Sequence, residues 1–231
     1  MQLVRNIQSV MKRIGDAAER SNRDASEITL IAVSKTVTEA MIREAYACGL
    51  RIFGENRPQQ LEGKASMLAD LKDIQWHMIG HLQRNKVKSV LPVAALIHSV
   101  DSLRLAEELN RHSIERGCET PILLEVNISG EQSKFGFAEQ EALDACRFIA
   151  TMQGIVVKGL MTMAPFAADP DETRPVFTRV RQLADFIRDQ AITRIEMSVL
   201  SMGMSNDFEI AIEEGATMVR IGTALWEGLS E

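Results

Sequence analysis

The chain has few of the residues that usually announce a mechanism: three cysteines, one tyrosine, four histidines and six prolines among 231 residues. Cys48, Cys118 and Cys146 form an odd set with no CxxC spacing, which argues against a disulfide framework or a cysteine zinc site. They read as small apolar residues or exposed bystanders in a reducing compartment. No Gly-x-Gly-x-x-Gly follows the first candidate strand, which counts against a dinucleotide fold. No apolar run reaches membrane-spanning length, and the start, Met1 to Asn6, lacks a signal-peptide core. The expectation is a cytoplasmic protein without membrane contact. Positive charge is also short, with 26 Lys and Arg against 32 Asp and Glu, a net charge of -6. That leaves no general footprint for nucleic acid or anionic lipid, so any phosphate must be held locally.

What is present is an alternation. At 45% apolar residues the chain can bury a sizeable core without disulfides or a structural metal. From about residue 27, short apolar segments alternate with helical patterns, and no Pro/Gly/Ser-rich linker interrupts them. The strand candidates are 28–33, 51–54, 75–80, 95–99, 122–127, 156–161, 195–201 and 217–221. Thr36 with Glu39, and Asn206 with Glu209, read as helix-starting capping boxes, and Gly49 and Gly215 as the matching stops. Residues 104–116 and 174–188 read as amphipathic helices. Eight strand and helix pairs in this length fit an α/β fold of the TIM (β/α)8 barrel type better than an open doubly wound sheet. Residues 1–26 are expected to be a helical extension, with a helix over 3–20, and 27–231 the barrel, in one domain.

Lys35 stands where the first apolar strand runs out. Period-2 alternation places Thr29, Ile31, Val33 and Lys35 on one mostly apolar face. An amine drawn out of water there loses preference for its charged form and becomes able to attack a carbonyl and form a Schiff base. The blander alternative is a lysine that snorkels at a strand end.

In such barrels sites gather at the carboxyl ends of the strands, and phosphate commonly binds the loops after strands seven and eight. Those loops read Leu200-Ser201-Met202-Gly203-Met204-Ser205 and Arg220-Ile221-Gly222-Thr223-Ala224. Backbone amides with nearby hydroxyls make a phosphate cradle. Arg220 shares a face with Met218 and Gly222, and barrel closure sets strand eight beside strand one, near Lys35. Two cations over one apolar cavity imply an anionic ligand, unless Arg220 is neutralised by Glu125 or Glu55. Asn56 ends the second strand. His77, Ile79 and His81 share parity at the third, with no third ligand for a metal. An aldehyde-seeking lysine, a phosphate cradle and an arginine for a ring nitrogen or carboxylate together describe a pyridoxal phosphate pocket.

The segments AVSKT (32–36), FGEN (53–56), WHMIGHLQRNKVK (76–88), HSVDS (98–102), GLMTM (159–163) and SMGMSNDFEIAIEEGATMVRIGTAL (201–225) cover most of the chain. On these the chain resembles the pyridoxal phosphate homeostasis family, YggS-like single-domain barrels of the fold-type III class. The resemblance implies Lys35 as the Schiff-base lysine. It implies Ser201, Gly222 and Thr223 at the phosphate, Arg220 near the pyridine nitrogen, and Asn56 and Ile79 along the ring. Lys134-Phe135-Gly136 and Arg57-Pro58 resemble less constrained family segments, and the tail from Trp226 to Glu231 diverges. The family is similar to the barrel domain of alanine racemases without their second domain.

An arginine facing the pyridine nitrogen disfavours its protonation and weakens the cofactor as an electron sink. Racemisation also needs a second acid, and the single tyrosine, Tyr46, lies inside a helix away from the strand end. The expectation is therefore a carrier that holds pyridoxal 5'-phosphate for PLP (vitamin B6) homeostasis. It has no catalytic residues or metal, exists as a monomer or weak dimer, and has PLP-requiring apo-enzymes as recipients. Two alternatives stay open: a weak PLP-dependent racemase or decarboxylase using His81, and a cofactor-free Schiff-base aldolase using Lys158.

Overall fold

The computed structural model describes residues 2–131, 135–167 and 169–229. Lys134 of the segment noted above, and Ser230 and Glu231 of the tail, lie outside the described residues. In chain order the elements are α1 (Gln2–Arg20), β1 (Thr29–Val33), α2 (Glu39–Ala47), β2 (Ile52–Glu55), α3 (Pro58–Met67), β3 (Gln75–Met78), α4 (Val87–Val90), β4 (Ala94–Val100) and α5 (Leu103–Glu115). They continue with β5 (Thr120–Asn127), the two-residue β6 (Phe137–Ala138), α6 (Ala142–Ile149), β7 (Ile155–Met161), α7 (Arg174–Asp189), β8 (Ile195–Met204), α8 (Phe208–Glu213), β9 (Met218–Ile221) and α9 (Thr223–Trp226).

Parallel pairing runs from β4 through β3, β2, β1, β9, β8 and β7 to β5, and a β4–β5 pairing closes the ring into an eight-stranded barrel. β6 adds only a short edge to β5. All eight expected strands are present, displaced by a residue or two at most ends.

Alternation along the strands divides the core in two. One set of side chains, including Val219 and Ile221 of β9 and Leu160 of β7, packs outward into a continuous layer beneath the helices. The other set plugs the barrel: Leu96, Leu123 and Met161, with Val199 and Met218 packed against them. Two residues further along four of these strands, on the same inward face, come His98, Glu125, Ser201 and Arg220, all buried. An apolar plug is thus capped by a polar layer, and that layer is the floor of the site.

α1 carries Leu3, Ile7, Val10, Ile14, Ala17 and Ala18 on one buried stripe and packs on α8 and α9. The Asn6 amide donates to the carbonyls of Leu225 and Glu227, both at 2.9 Å, satisfying the end of the short α9. Arg23 Nη1 donates to the carbonyls of Ile212 and Ala216 at 3.1 and 2.8 Å, which ties the start of the barrel to the end of α8.

Both expected capping boxes are displaced. α2 is capped by Thr38, whose hydroxyl accepts from Met41 N at 3.4 Å, because a turn closed by Val37 N to Ser34 O separates it from β1. Thr36 belongs to that turn. α8 has Asp207 at its cap position, while Asn206 reaches back to the Ala167 carbonyl at 3.1 Å. Gly49 and Gly215 end their helices at positive φ as expected. Among the described residues no helix is long and apolar enough to cross a membrane.

Candidate functional site

A cavity of about 760 Å³ opens at the carboxyl ends of the strands, and six of the seven expected site residues line it: Lys35, Asn56, Ile79, Arg220, Gly222 and Thr223. The loops that carry them are held tightly from behind. Lys64 of α3 is nearly buried and pairs with the fully buried Glu55 at 2.7 Å, and it also donates to the Ser34 carbonyl. Ser34 Oγ donates to the same Glu55 oxygen at 2.6 Å. The residue just before Lys35 is therefore fixed by a buried ion pair. At the next strand end, a Cβ on Gly80 would fall 2.3 Å from the Asn56 carbonyl oxygen, so only glycine lets these two loops touch.

Lys35 itself differs from expectation. β1 ends at Val33, and Lys35 sits in the following turn, exposed at the mouth of the cavity. The burial inferred from strand parity therefore fails, because the chain leaves the strand before the side chain reaches the barrel axis. Its amine has no hydrogen-bond or ion-pair partner among the described residues. Nor are Lys35 and Arg220 in register: Ile31 is the β1 residue beside Arg220, and Lys35 comes four residues later, beyond the end of the strand. One cation is at the floor of the cavity and the other at its mouth.

Arg220 is 4% exposed. Its Nη1 donates to the carbonyl and the hydroxyl of Ser201, both at 2.7 Å, and its Nη2 to the Thr162 carbonyl at 2.9 Å. Neither Glu55 nor Glu125 pairs with it: Glu55 is taken by Lys64, and Glu125 acts only at a distance. Burial pulls the guanidinium down to about 10, opposed by the fields of Asp207 and Glu125, so it remains a cation at neutral pH. With five N–H donors, three of them engaged, Arg220 keeps its Nε–H and one Nη2–H for the cavity.

Ser201 is the exception among the expected site residues. It is fully buried below the cavity, held by Arg220 and by His98 Nδ1 at 2.9 Å, and does not line the site. The hydroxyl at the cradle is that of Ser205, four residues on, which accepts from Gly222 N and Ala224 N at 3.3 Å each. In that loop it is therefore Ser205, not Ser201, that reaches the amides of the eighth-strand loop. β8 runs on to Met204, so Ser201 is inside the barrel and Ser205 is the first hydroxyl beyond it.

Three further features of the lining, two of them on residues the sequence offers in other roles, depend on the folded barrel. Glu125 lines the cavity as an acid rather than as an ion-pair partner. Burial, reinforced by nearby Asp101 and opposed by Arg220, raises its carboxyl to about 7. Trp226 closes one wall and donates from Nε1 to the Val33 carbonyl at 2.7 Å, although it belongs to a tail that carried no expectation. Phe135 stacks on His81 at 3.9 Å between ring centroids, and His81 Nδ1 contacts Asp101 at 2.9 Å.

The candidates of the alternative readings lie elsewhere, apart from His81, which is at the cavity mouth. Lys158 is outside the cavity and paired with Glu196. Tyr46 bonds Asp73 under the Arg51 guanidinium, also away from the site. Cys146 is buried, which pushes its thiol up to about 12.

A closed parallel barrel with helix-start amides, a buried arginine and an exposed lysine around one cavity at the carboxyl ends of its strands places the chain among the TIM-type α/β barrels. The alanine racemase N-terminal domain family matches residues 5–229. The pyridoxal phosphate homeostasis protein of Aquifex aeolicus is 40% identical over 226 residues, covering 98% of each chain, and that of Pseudomonas aeruginosa is 39% identical over 224, covering 97% of this chain and 94% of the other. Among solved structures, PipY of Synechococcus elongatus with PLP bound superposes with a TM-score of 0.85 at 36% identity, covering 96% of this chain and 99% of that one. An alanine racemase of Clostridium difficile shares the fold, with a TM-score of 0.72 at 14% identity, and this chain spans 57% of its length. The chain belongs to the pyridoxal phosphate homeostasis protein family, within the wider alanine racemase N-terminal domain family.

Proposed function

We propose that the chain binds pyridoxal 5'-phosphate, with Lys35 holding it as a Schiff base, and serves as an intracellular carrier of the cofactor rather than as an enzyme. The observation that carries this reading is Arg220: a buried cation with no carboxylate partner and two donors left for the cavity. Such a group needs an acceptor, and an aromatic ring nitrogen fits it. The residues fit the rest of the molecule as well. The amides of Gly222 and Ala224, with Ser205 and Thr223, suit the phosphate. Asn56 and Ile79 line the same cavity and suit the ring. When bound, pyridoxal phosphate supplies an aldehyde that condenses with a primary amine and a ring that can stabilise negative charge.

Arg220 as a permanent donor leaves the ring nitrogen unprotonated, which limits that stabilisation and favours storage. Recipient apo-enzymes would take the cofactor by offering their own amine. The names of the curated relatives and the PLP in PipY support the ligand. Titration of the apo chain with pyridoxal phosphate is expected to give a visible absorption band that Lys35→Ala lacks. A band of equal intensity in both would contradict the role of Lys35.

A second reading, a weak PLP-dependent racemase or decarboxylase, is favoured by Glu125, whose carboxyl near 7 is suited to moving a proton at its Oε atoms. Exchange of α-hydrogen for deuterium across a panel of amino acids supports it; no exchange removes it.

A further inference from the structure

Beneath the cavity, Arg220 continues into a chain of buried polar side chains, Ser201, His98 and His77, that the binding reading does not use. His77 Nδ1 is 3.0 Å from His98 Nε2, His98 Nδ1 is 2.9 Å from Ser201 Oγ, and Ser201 Oγ accepts from Arg220 at 2.7 Å. All four residues are at most 4% exposed. They come from four strands, β3, β4, β8 and β9, and form part of the polar layer above the apolar plug.

The hydrogens in this chain run one way only. A guanidinium is donor only, so Ser201 Oγ must accept from Arg220. The hydroxyl has a single proton, and His98 is its only other side-chain partner among the described residues. If His98 donated to it, that proton would be buried without an acceptor, which is the costly arrangement. Ser201 therefore donates to a bare His98 Nδ1. His98 then carries its proton on Nε2 and donates to His77 Nδ1, and His77 in turn carries its proton on Nε2. Burial, joined at His98 by the fields of His77 and Arg220, pushes both rings below their usual range, to about 4 for His77, so they stay neutral.

We propose that Ser201, His98 and His77 are positioning residues for Arg220: a neutral, directional relay that anchors one edge of the guanidinium without a carboxylate, leaving its remaining N–H donors aimed at the ligand ring. A carboxylate in place of the relay would take two donors at once and neutralise the charge. A neutral hydroxyl backed by two imidazoles takes one and leaves the charge in place. The inference rests on the binding of pyridoxal phosphate for its consequence, but not for its geometry.

The test has two arms. With only four histidines in the chain, long-range proton–nitrogen NMR of the ¹⁵N-histidine apo protein at pH 7 resolves each ring. The expected result is a neutral ring protonated on Nε2 at both His77 and His98, with His98 losing that single tautomer in Ser201→Ala. A proton on His98 Nδ1, or tautomers unmoved by Ser201→Ala, overturns the relay. The second arm compares affinity for pyridoxal phosphate with that for its analogue bearing carbon in place of the ring nitrogen. The native chain is expected to favour the former by about tenfold or more. Ser201→Ala should lose most of that ratio, and His98→Gln, whose amide can still accept from Ser201, should keep part of it. An unchanged ratio in Ser201→Ala refutes positioning. Binding of neither aldehyde by the native chain overturns the cofactor reading instead, and the tautomers then decide the relay alone.

Discussion

Replacing Glu125 by glutamine should stabilise the apo protein, and by an amount that depends on pH. The folded carboxyl holds its proton up to about pH 7, whereas in the unfolded chain it is released near its ordinary 4.5. Between those values the folded state binds more protons, so stability falls as pH rises, and the loss is complete above 7. A shift of this size corresponds to about 3 kcal/mol. Glutamine resembles the protonated acid, so Glu125→Gln should match the native chain at pH 4 and exceed it by up to ~3 kcal/mol at pH 8, on the order of 6–12 °C in Tm. His77 acts in the opposite sense. Its depressed pKa contributes stability above its ordinary 6.5 that is lost as pH falls toward 4, but it does so in both proteins and cancels in the difference. Urea titrations of the two chains from pH 4 to pH 8 give the curve directly. A difference that is flat with pH, or a glutamine variant that is the less stable at pH 8, refutes the reasoning.

Ser205→Ala removes the hydroxyl at the cradle amides and should weaken binding of inorganic phosphate and of pyridoxal phosphate alike by about tenfold, measured by calorimetry. Equal affinity in both proteins would move the phosphate elsewhere. Lys64→Ala strands Glu55 without a partner in a fully buried position and should cost about 3–5 kcal/mol in urea denaturation, more than Lys64→Met combined with Glu55→Leu. A smaller loss in the single variant than in the double one would contradict that ordering. Gly80→Ala drives a methyl into the Asn56 carbonyl and should lower both stability and ligand affinity, whereas Gly63→Ala, which meets nothing within 4 Å, should do neither.

The barrel was legible because its signals are local and redundant. Eight apolar segments, each followed by helix-forming sequence, admit few other packings, and helix stops such as Gly49 depend on a single backbone angle. Loop geometry was less legible. Thr36 and Thr38 offer equivalent capping chemistry two residues apart, and only the turn at Ser34 to Val37 decides between them. Parity along β8 places Ser201 on the inward face but does not tell how far the strand continues, and it is Ser205, four residues on, that meets the amides of Gly222 and Ala224. The burial of Lys35 failed for the same reason, as β1 stops two residues short of it. Parity leaves Arg220 facing either the barrel axis or the helices, and the structure turns it inward. Its partners differ from the carboxylates expected, because carbonyls and a serine hydroxyl leave no charge pattern in a sequence. That Glu125 faces the cavity as an acid, and that His77 meets His98, depends on long-range closure of the ring, which leaves no local signal.

Lys35 is the residue proposed to hold the cofactor. Borohydride reduction of the chain loaded with pyridoxal phosphate, followed by proteolysis and peptide mass mapping, tests it most directly. A phosphopyridoxyl adduct on the peptide containing Lys35 is the predicted result, and an adduct confined to other lysines would contradict the account.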